Sequence, residues 1–412
     1  MTPRTETSTG WDPALTGRAL EPAYQRIVSL EDGATVGFEA LARWPSVSGA
    51  DPLSVFDSAA AAGEVDALDR SCIDAAIAGA LDGQLARGTM LAVNCEPTTR
   101  HVAVADSQML ARGHAELDLI FELTERGLLA HPRALLDKVA ALRIDGFAIA
   151  LDDVGSHPDS LALLDVVDPD VIKLDLRLVQ SQPDREQARI LAAVLAHHER
   201  AGAVILAEGI ETAEHLEQAL SIGATLGQGY RFGHPGPLEE GAPARWGRRP
   251  RAPFTEPGAE SPLEQLAAAG RLRTARKATL TAFSRHIESQ ATRSADPPIV
   301  LSALQRVDQF TSGTRRRYRE LARTSPLVAV FGEDMPSDVV DGIRGVPLDP
   351  DDPMCTEWIV VALGAHTAAA LIARERDGSG SITEADRRFD YTITYDRALV
   401  TATAHYLLDR ML

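Results

Sequence analysis

The chain of 412 residues is expected to fold as α/β, with a closed barrel of parallel β/α units followed by a smaller α/β or α+β domain. Two observations predict the barrel. Short apolar runs alternate with longer stretches of helical periodicity as far as Pro237, and each of six runs carries or ends in an acid, an amide or an amine. A third observation, a proline-rich interruption near residue 250, separates the second domain.

In chain order, residues 36–41 surround Glu39, residues 90–93 lead into Asn94, and residues 119–121 lead into Glu122. Residues 147–151 precede the pair Asp152 and Asp153, residues 171–172 precede Lys173, and residues 203–207 run into Glu208. Such short runs, apolar on both faces, read as parallel strands. Between them, residues 55–81, 133–142 and 185–198 carry helical spacing. In a barrel of this kind, side chains at the carboxyl ends of different strands converge on one mouth. The six polar positions fall at those ends and so form one expected site.

Each residue also has an ordinary reading. A carboxylate after a strand is commonly a helix cap or a loop ion pair. Lysine occurs only at Lys138, Lys173 and Lys277, so arginine is this chain's usual cation and Lys173 reads as chemically required. The whole set together favours chemistry, because the roles converge.

At these positions the chain resembles the EAL-domain phosphodiesterases, which hydrolyse the bacterial second messenger cyclic di-GMP. The resemblance is carried by Gly37-Phe38-Glu39-Ala40-Leu41-Ala42-Arg43-Trp44, Val93-Asn94, Glu122-Leu123-Thr124-Glu125 and Leu151-Asp152-Asp153-Val154-Gly155. It continues in Ile172-Lys173-Leu174-Asp175, Ala207-Glu208-Gly209-Ile210-Glu211-Thr212 and Gln228-Gly229-Tyr230-Arg231-Phe232. It implies a modified TIM barrel and a two-metal hydrolysis of cyclic di-GMP to linear pGpG. Glu39, Asn94, Glu122 and Asp152 match ligands of a first Mg²⁺ or Mn²⁺, and Asp152, Asp153 and Glu208 those around a second. An all-oxygen set suits hard divalent ions and makes zinc a poor fit. By the same resemblance Glu208 is the base or water-orienting group, Lys173 holds the water or a phosphoryl oxygen, and Asp153 joins them in catalysis. Arg43, Gln228 and Leu41 match substrate-contacting positions.

The chain departs from the family in the loop after the paired aspartates, usually DDFG and then small residues. Here Val154, Gly155, Ser156, His157 and Pro158 follow. Glu125 matches the anchor of that loop, which in the family links the site to the dimer interface. The Gln-Pro-Ile motif reads Gln25-Arg26-Ile27, and Glu96 stands where a serine is usual. None of these changes removes a ligand. His157 is expected as an exposed loop residue rather than a ligand.

The rest of the sequence suits a soluble cytoplasmic protein. No apolar stretch reaches the roughly 18 residues of a membrane span, and residues 1–17 read as a flexible polar segment without a signal peptide. Cys72, Cys95 and Cys355 are too scattered for a disulfide framework, and Cys95 reads as core packing. The net charge of −18 argues against a DNA-binding surface, and no membrane insertion is expected.

The barrel is assigned residues 18–242, a proline-rich linker and helix start 243–270, and the second domain 271–412. The linker holds Arg245, Arg248, Arg249 and Arg251, read as a solvated run. From Leu263 a helical pattern through Leu266, Leu272 and Ala275 leads into Leu280, Phe283 and Ile287, and is expected to couple the domains or pair in a dimer. Residues 327–331, 358–363 and 369–372 read as strands and 398–412 as a final helix. This region resembles the DICT sensory domain in residues 284–288, Tyr318 with Leu321, Val330-Phe331-Gly332, Glu357-Trp358, Arg388-Phe389 and Thr394-Tyr395-Asp396. Trp358, Tyr391 and Tyr395 are candidates for a ligand pocket, with core or edge packing the ordinary reading.

The function expected is a cyclic di-GMP phosphodiesterase regulated by its second domain, acting as a homodimer with a possible signalling protein partner. The alternatives are a weakly catalytic cyclic di-GMP receptor and a barrel that serves only as a protein-interaction scaffold.

Overall fold

The computed structural model describes residues 19–124, 128–156, 160–238, 246, 261–268, 270–340, 342–376 and 387–411. The first domain is a closed barrel of eight strands, β1 (Glu21–Ser29), β2 (Thr35–Arg43), β3 (Met90–Asn94), β4 (Asp118–Thr124), β5 (Ala148–Val154), β6 (Val171–Leu174), β7 (Val204–Ala207) and β8 (Leu226–Gly227). Strands β2 to β8 run parallel. Strand β1 is antiparallel to both β2 and β8 and closes the ring.

The two-residue side-chain period explains why the barrel is apolar below and polar above. Met90, Ala92, Ile120, Ala148, Ala150, Val171, Leu206 and Leu226 form one buried cluster with Ile27 and Val36. Two residues further along the same faces stand Asn94, Glu122, Asp152, Lys173, Glu208 and Gln228. Alternate residues such as Leu91, Phe121, Ile149, Ile172 and Ile205 pack against the surrounding helices. Trp246 joins the lower cluster and donates its indole N–H to Asp118 Oδ2 at 2.6 Å, so part of the expected linker lies on the barrel floor.

The helical stretch expected over 55–81 is two helices, Pro52–Ala62 and Val65–Asp82. Gly63, at φ +73°, caps the first by adopting a left-handed conformation that costs a glycine little.

The second domain is a mixed sheet built from β9 (Arg273–Arg276), β10 (Ile299–Arg306), β11 (Val328–Glu333), β12 (Asp338–Val340), β13 (Ile343–Pro347), β14 (Glu357–Gly364), β15 (Thr367–Glu375) and β16 (Arg388–Thr394). Its order is β12-β13-β11-β10-β14-β15-β16-β9. Helices Lys277–Arg293 and Ser312–Leu321 cover one face, over Val300, Val330, Val360 and Leu371. Helices Pro262–Ala268 and Arg397–Leu408 cover the other, over Leu301, Phe331, Ile359 and Val361. Strand β9 interrupts the continuous helix expected from Leu263 onward, because its backbone pairs with β16. Leu263 and Leu266 are buried in the second domain's own core rather than free for a partner helix. Trp358 meets Phe389 edge to face with centroids 6.0 Å apart, and Tyr391 is half-buried in the same core, so both pack. Tyr395 is exposed.

The second domain's core does not stop at its own residues. Ala162 and Val166, on the barrel helix Ser160–Val167, belong to the same buried cluster as Leu301, Ile359, Val361 and Leu407. Polar contacts frame this seam, with Arg397 Nη1 2.5 Å from Asp165 Oδ2 and Arg189 Nη1 2.6 Å from Asp296 Oδ1.

Candidate active site

At the polar end of the barrel Lys173 stands among four carboxylates. Its Nζ lies 2.8 Å from Asp152 Oδ1, 2.9 Å from Glu122 Oε2, 2.9 Å from Glu208 Oε1 and 3.6 Å from Glu39 Oε1. Lys173 and Glu122 are each 1% exposed, so the charges interact without bulk water between them. Asn94 Nδ2 donates to Glu39 Oε1 at 3.3 Å, and Gln228 Nε2 donates to Glu39 Oε2 at 2.7 Å and to Gln25 Oε1 at 2.9 Å.

Burial and charge pull these groups in different directions. Burial pushes the Glu208 carboxyl up to about 8, although Lys173 opposes the shift. Burial likewise raises Glu122 well above the usual carboxylate range, with the neighbouring charges of Glu39 and Asp152 adding to it. Glu39 is buried too, yet Lys173 and the amides of Gln228 and Asn94 hold it below its ordinary value. Lys173 loses hydration, but Asp152, Glu122, Glu208 and Glu39 raise its affinity for its proton.

Asp152 and Asp153 are neighbours on one strand, and a regular strand would turn one of them away. A register shift between Leu151 and Val154 and a φ of +55° at Asp153 form a local bulge. As a result Asp152, Asp153 and Glu208 offer oxygen atoms within 4.8 Å of one another. Asp152 Oδ1 and Gln228 Oε1 are buried without a hydrogen-bond partner, the first being ion-paired to Lys173 but off hydrogen-bond geometry. Buried acceptors in an all-oxygen donor set fit a hard divalent cation.

A cleft of about 510 Å³ opens over the site, with Glu39, Leu41, Arg43, Asn94, Asp152 and Asp153 on its wall. Arg43 is half-buried there and donates Nη1 to the Ala42 carbonyl at 2.9 Å. Gln228 is buried against Glu39 and steadies that carboxylate. Glu96 and Cys95 also border the cleft, and Cys95 is part of the barrel core.

Of the loop residues, Val154 is fully buried at the end of β5, in register with Leu174, and is core rather than loop. Gly155 and Ser156 follow it, and the Ser156 carbonyl accepts from Arg177 Nη2 at 3.0 Å. Glu125, His157 and Pro158 lie outside the described residues.

Sequence reasoning missed a buried support for the segment that follows Asn94. Asp69 Oδ1 accepts from the Glu96 backbone N–H at 3.0 Å, Asp69 Oδ2 accepts from the Thr99 hydroxyl at 2.5 Å, and Lys138 Nζ donates to Thr99 Oγ1 at 2.8 Å. The scarcity of lysine that singled out Lys173 pointed equally to Lys138. Gln25, which bonds to Gln228, was visible only within an altered motif.

Comparison with known proteins gives the same assignment for each half. The EAL domain model matches residues 11–235, and the model of the sensory domain in diguanylate cyclases and two-component systems (DICT) matches residues 260–376. Among curated relatives, the cyclic di-GMP phosphodiesterase RocR of Pseudomonas aeruginosa is 30% identical over 226 residues, 53% of this chain and 58% of that protein. The probable cyclic di-GMP phosphodiesterase PdeG of Escherichia coli is 30% identical over 233 residues, 54% of this chain and 46% of that one. The chain thus spans about half the length of these relatives. Among solved structures, the manganese and cyclic di-GMP complex of Klebsiella pneumoniae BlrP1 is 29% identical, covering 53% of this chain and 56% of that one, with a TM-score of 0.45. The EAL model covers more than half of the sequence, and the protein belongs to the EAL-domain family.

Proposed function

We propose that the protein is a metal-dependent phosphodiesterase that hydrolyses cyclic di-GMP to linear pGpG, with its second domain as regulator. The observation that carries this reading is the ring of Glu39, Glu122, Asp152 and Glu208 around Lys173, beside Asp153 and beneath an open cleft. Curated relatives named as cyclic di-GMP phosphodiesterases support the substrate.

In this reading Glu39, Asn94, Glu122 and Asp152 hold one divalent ion and Asp152, Asp153 and Glu208 a second, with Mg²⁺ or Mn²⁺ as the native metal. Bound ions would lower the pKa of a water and neutralise charge on the phosphoryl oxygens. The chain's own groups do the rest. Glu208 receives the proton of the attacking water. Lys173 orients that water or a phosphoryl oxygen with its remaining donor capacity. Arg43 offers a planar donor fork to a substrate phosphate and Leu41 supplies an apolar wall, while Gln228, by resemblance a substrate-contacting position, fixes Glu39. Val154 at the end of β5, with Gly155 and Ser156 after it, tunes the site, and Glu125, His157 and Pro158 belong to the same proposed regulatory set. No helix among the described residues is long and apolar enough to cross a membrane, which accords with the proposed cytoplasmic site of action. A homodimer and a signalling protein partner belong to the same proposal.

The test is full-length protein with cyclic di-GMP and Mn²⁺ or Mg²⁺, read by chromatography for pGpG. Glu208→Gln should reduce turnover by about 10²–10⁴ while leaving binding in Ca²⁺ nearly unchanged. Binding without product in the wild type would turn the assignment to a receptor. No nucleotide binding would leave the interaction scaffold.

A further inference from the structure

The two segments that leave the ends of the ligand-bearing strands β4 and β5 are both gripped by the second domain. Strand β4, which carries Glu122, is followed after residues 125–127 by the turn Leu128–Ala130. Arg344, on β13, donates Nη1 to the Leu129 carbonyl at 2.7 Å and Nη2 to the Ala130 carbonyl at 2.8 Å. Strand β5, which carries Asp152 and Asp153, leads to the helix Ser160–Val167. Arg397 Nη1 donates to Asp165 Oδ2 on that helix at 2.5 Å and to the Gly364 carbonyl at 2.9 Å. The ring nitrogen Nε2 of His405 stands 2.9 Å from the Val166 carbonyl, and Ala162 and Val166 are 3% and 2% exposed within the second domain's core.

Resting on the functional reading above, we infer that Arg344 and Arg397 are positioning residues that join the second domain to the metal ligands through residues 128–130 and 160–167. Arg344 forks between two acceptors and Arg397 among three, the third being the Ala365 carbonyl, which fixes direction as well as distance. Packed interiors have low compressibility, so a shift of the sheet carries the helix Ser160–Val167 with it rather than being absorbed at the seam. That helix follows β5, whose bulge between Leu151 and Val154 turns Asp152 and Asp153 toward Glu208. The arrangement of the second domain therefore sets how closely Glu122, Asp152, Asp153 and Glu208 converge, and hence the affinity for the cation. By linkage, the cation must act back on the second domain to the same extent.

The experiment uses full-length wild type, R344A, R397A and the surface control R323A. Mn²⁺ affinity is read from the spin-resonance signal of free Mn²⁺, and hydrogen exchange is followed with and without Mn²⁺. In the wild type and R323A, Mn²⁺ should slow exchange in residues 343–348 and 397–408. R344A and R397A should lose that slowing and bind Mn²⁺ about fivefold more weakly or worse, with melting transitions that show both domains folded. R344K and R397K, which keep the charge but not the fork, should fall between, and they carry the test if the alanine variants do not fold. Folded variants with unchanged Mn²⁺ affinity, or second-domain exchange indifferent to Mn²⁺, would overturn the inference. Mn²⁺ coupling without any pGpG would uphold it and refute the enzymatic reading. A wild type that binds no Mn²⁺ would overturn both.

Discussion

Replacing Lys173 with methionine should destabilise the metal-free barrel strongly, and more so as pH rises. Its ammonium faces four carboxylates, three of them within 2.9 Å, in a site where it is 1% exposed. A single pair 4 Å apart contributes about 4 kcal/mol at an effective dielectric of 20, and desolvation offsets most of that. Removing one partner of a buried pair typically costs about 3–5 kcal/mol, and here one deletion leaves several acids unopposed, so the upper end applies. For a domain of this size that corresponds to a fall in Tm on the order of 10 °C. The acids can answer by taking up protons, so the loss should be smaller at pH 5 than at pH 8. A divalent cation replaces the missing charge, so saturating Mn²⁺ should narrow the gap to the wild type. Scanning calorimetry of Lys173→Met with and without Mn²⁺ tests all three expectations. A variant that melts within about 2 °C of wild type at pH 8 without metal would refute the argument.

Glu208 gives metal-free stability its own pH dependence. Its folded value, about 8, exceeds the ordinary 4.5, so the native state binds the extra proton; the associated stability is full below pH 4.5 and lost as pH rises through 8. Urea titrations of metal-free protein across this range should show the decline, and Glu208→Gln should flatten it. Gly229→Ala should cost about 1–3 kcal/mol, because φ is +150° there and a Cβ would stand 2.2 Å from the Ile210 carbonyl oxygen. The adjoining Gln228 would shift, so weaker cyclic di-GMP binding in Ca²⁺ should accompany the lower Tm. Val166→Asp, which buries an unpaired charge in the seam, should weaken docking by about 3 kcal/mol and split one melting transition into two. A single unchanged transition would contradict that reading of the seam.

Much of the first domain was legible because inner faces repeat every second residue, so Ala92 with Asn94 or Leu206 with Glu208 announces both a strand and its mouth. The closing strands were not. Strand β8 is only Leu226–Gly227, too short for any period, and the half-polar β1 resembles a loop until its pairing with β2 is seen. The meeting of Asp153 with Asp152 and Glu208 depends on a bulge, a backbone event that pattern cannot encode. Helix periodicity carried past Gly63 and through Arg273–Arg276 because local spacing does not register a left-handed cap or an edge pairing made by distant residues. In the second domain β11, β14 and β15 showed as apolar runs, whereas β10, central but broken by Ser302 and Gln305, and the edgeward β12 and β13 did not. The seam was least legible, since Ala162 and Val166 look like any inward face of a barrel helix.

That seam constrains how such a protein can change its input. Where enzyme and sensor meet only through a tether, one sensor can be exchanged for another without touching the enzyme. Here Ala162, Asp165 and Val166 are written for one neighbour, whose core they extend and whose Arg397 they satisfy. A graft of a different domain onto this barrel would leave an apolar strip facing water and Asp165 with only Arg200 and His197 of its own barrel beside it, so the choice of second domain is inscribed in the barrel's own helix.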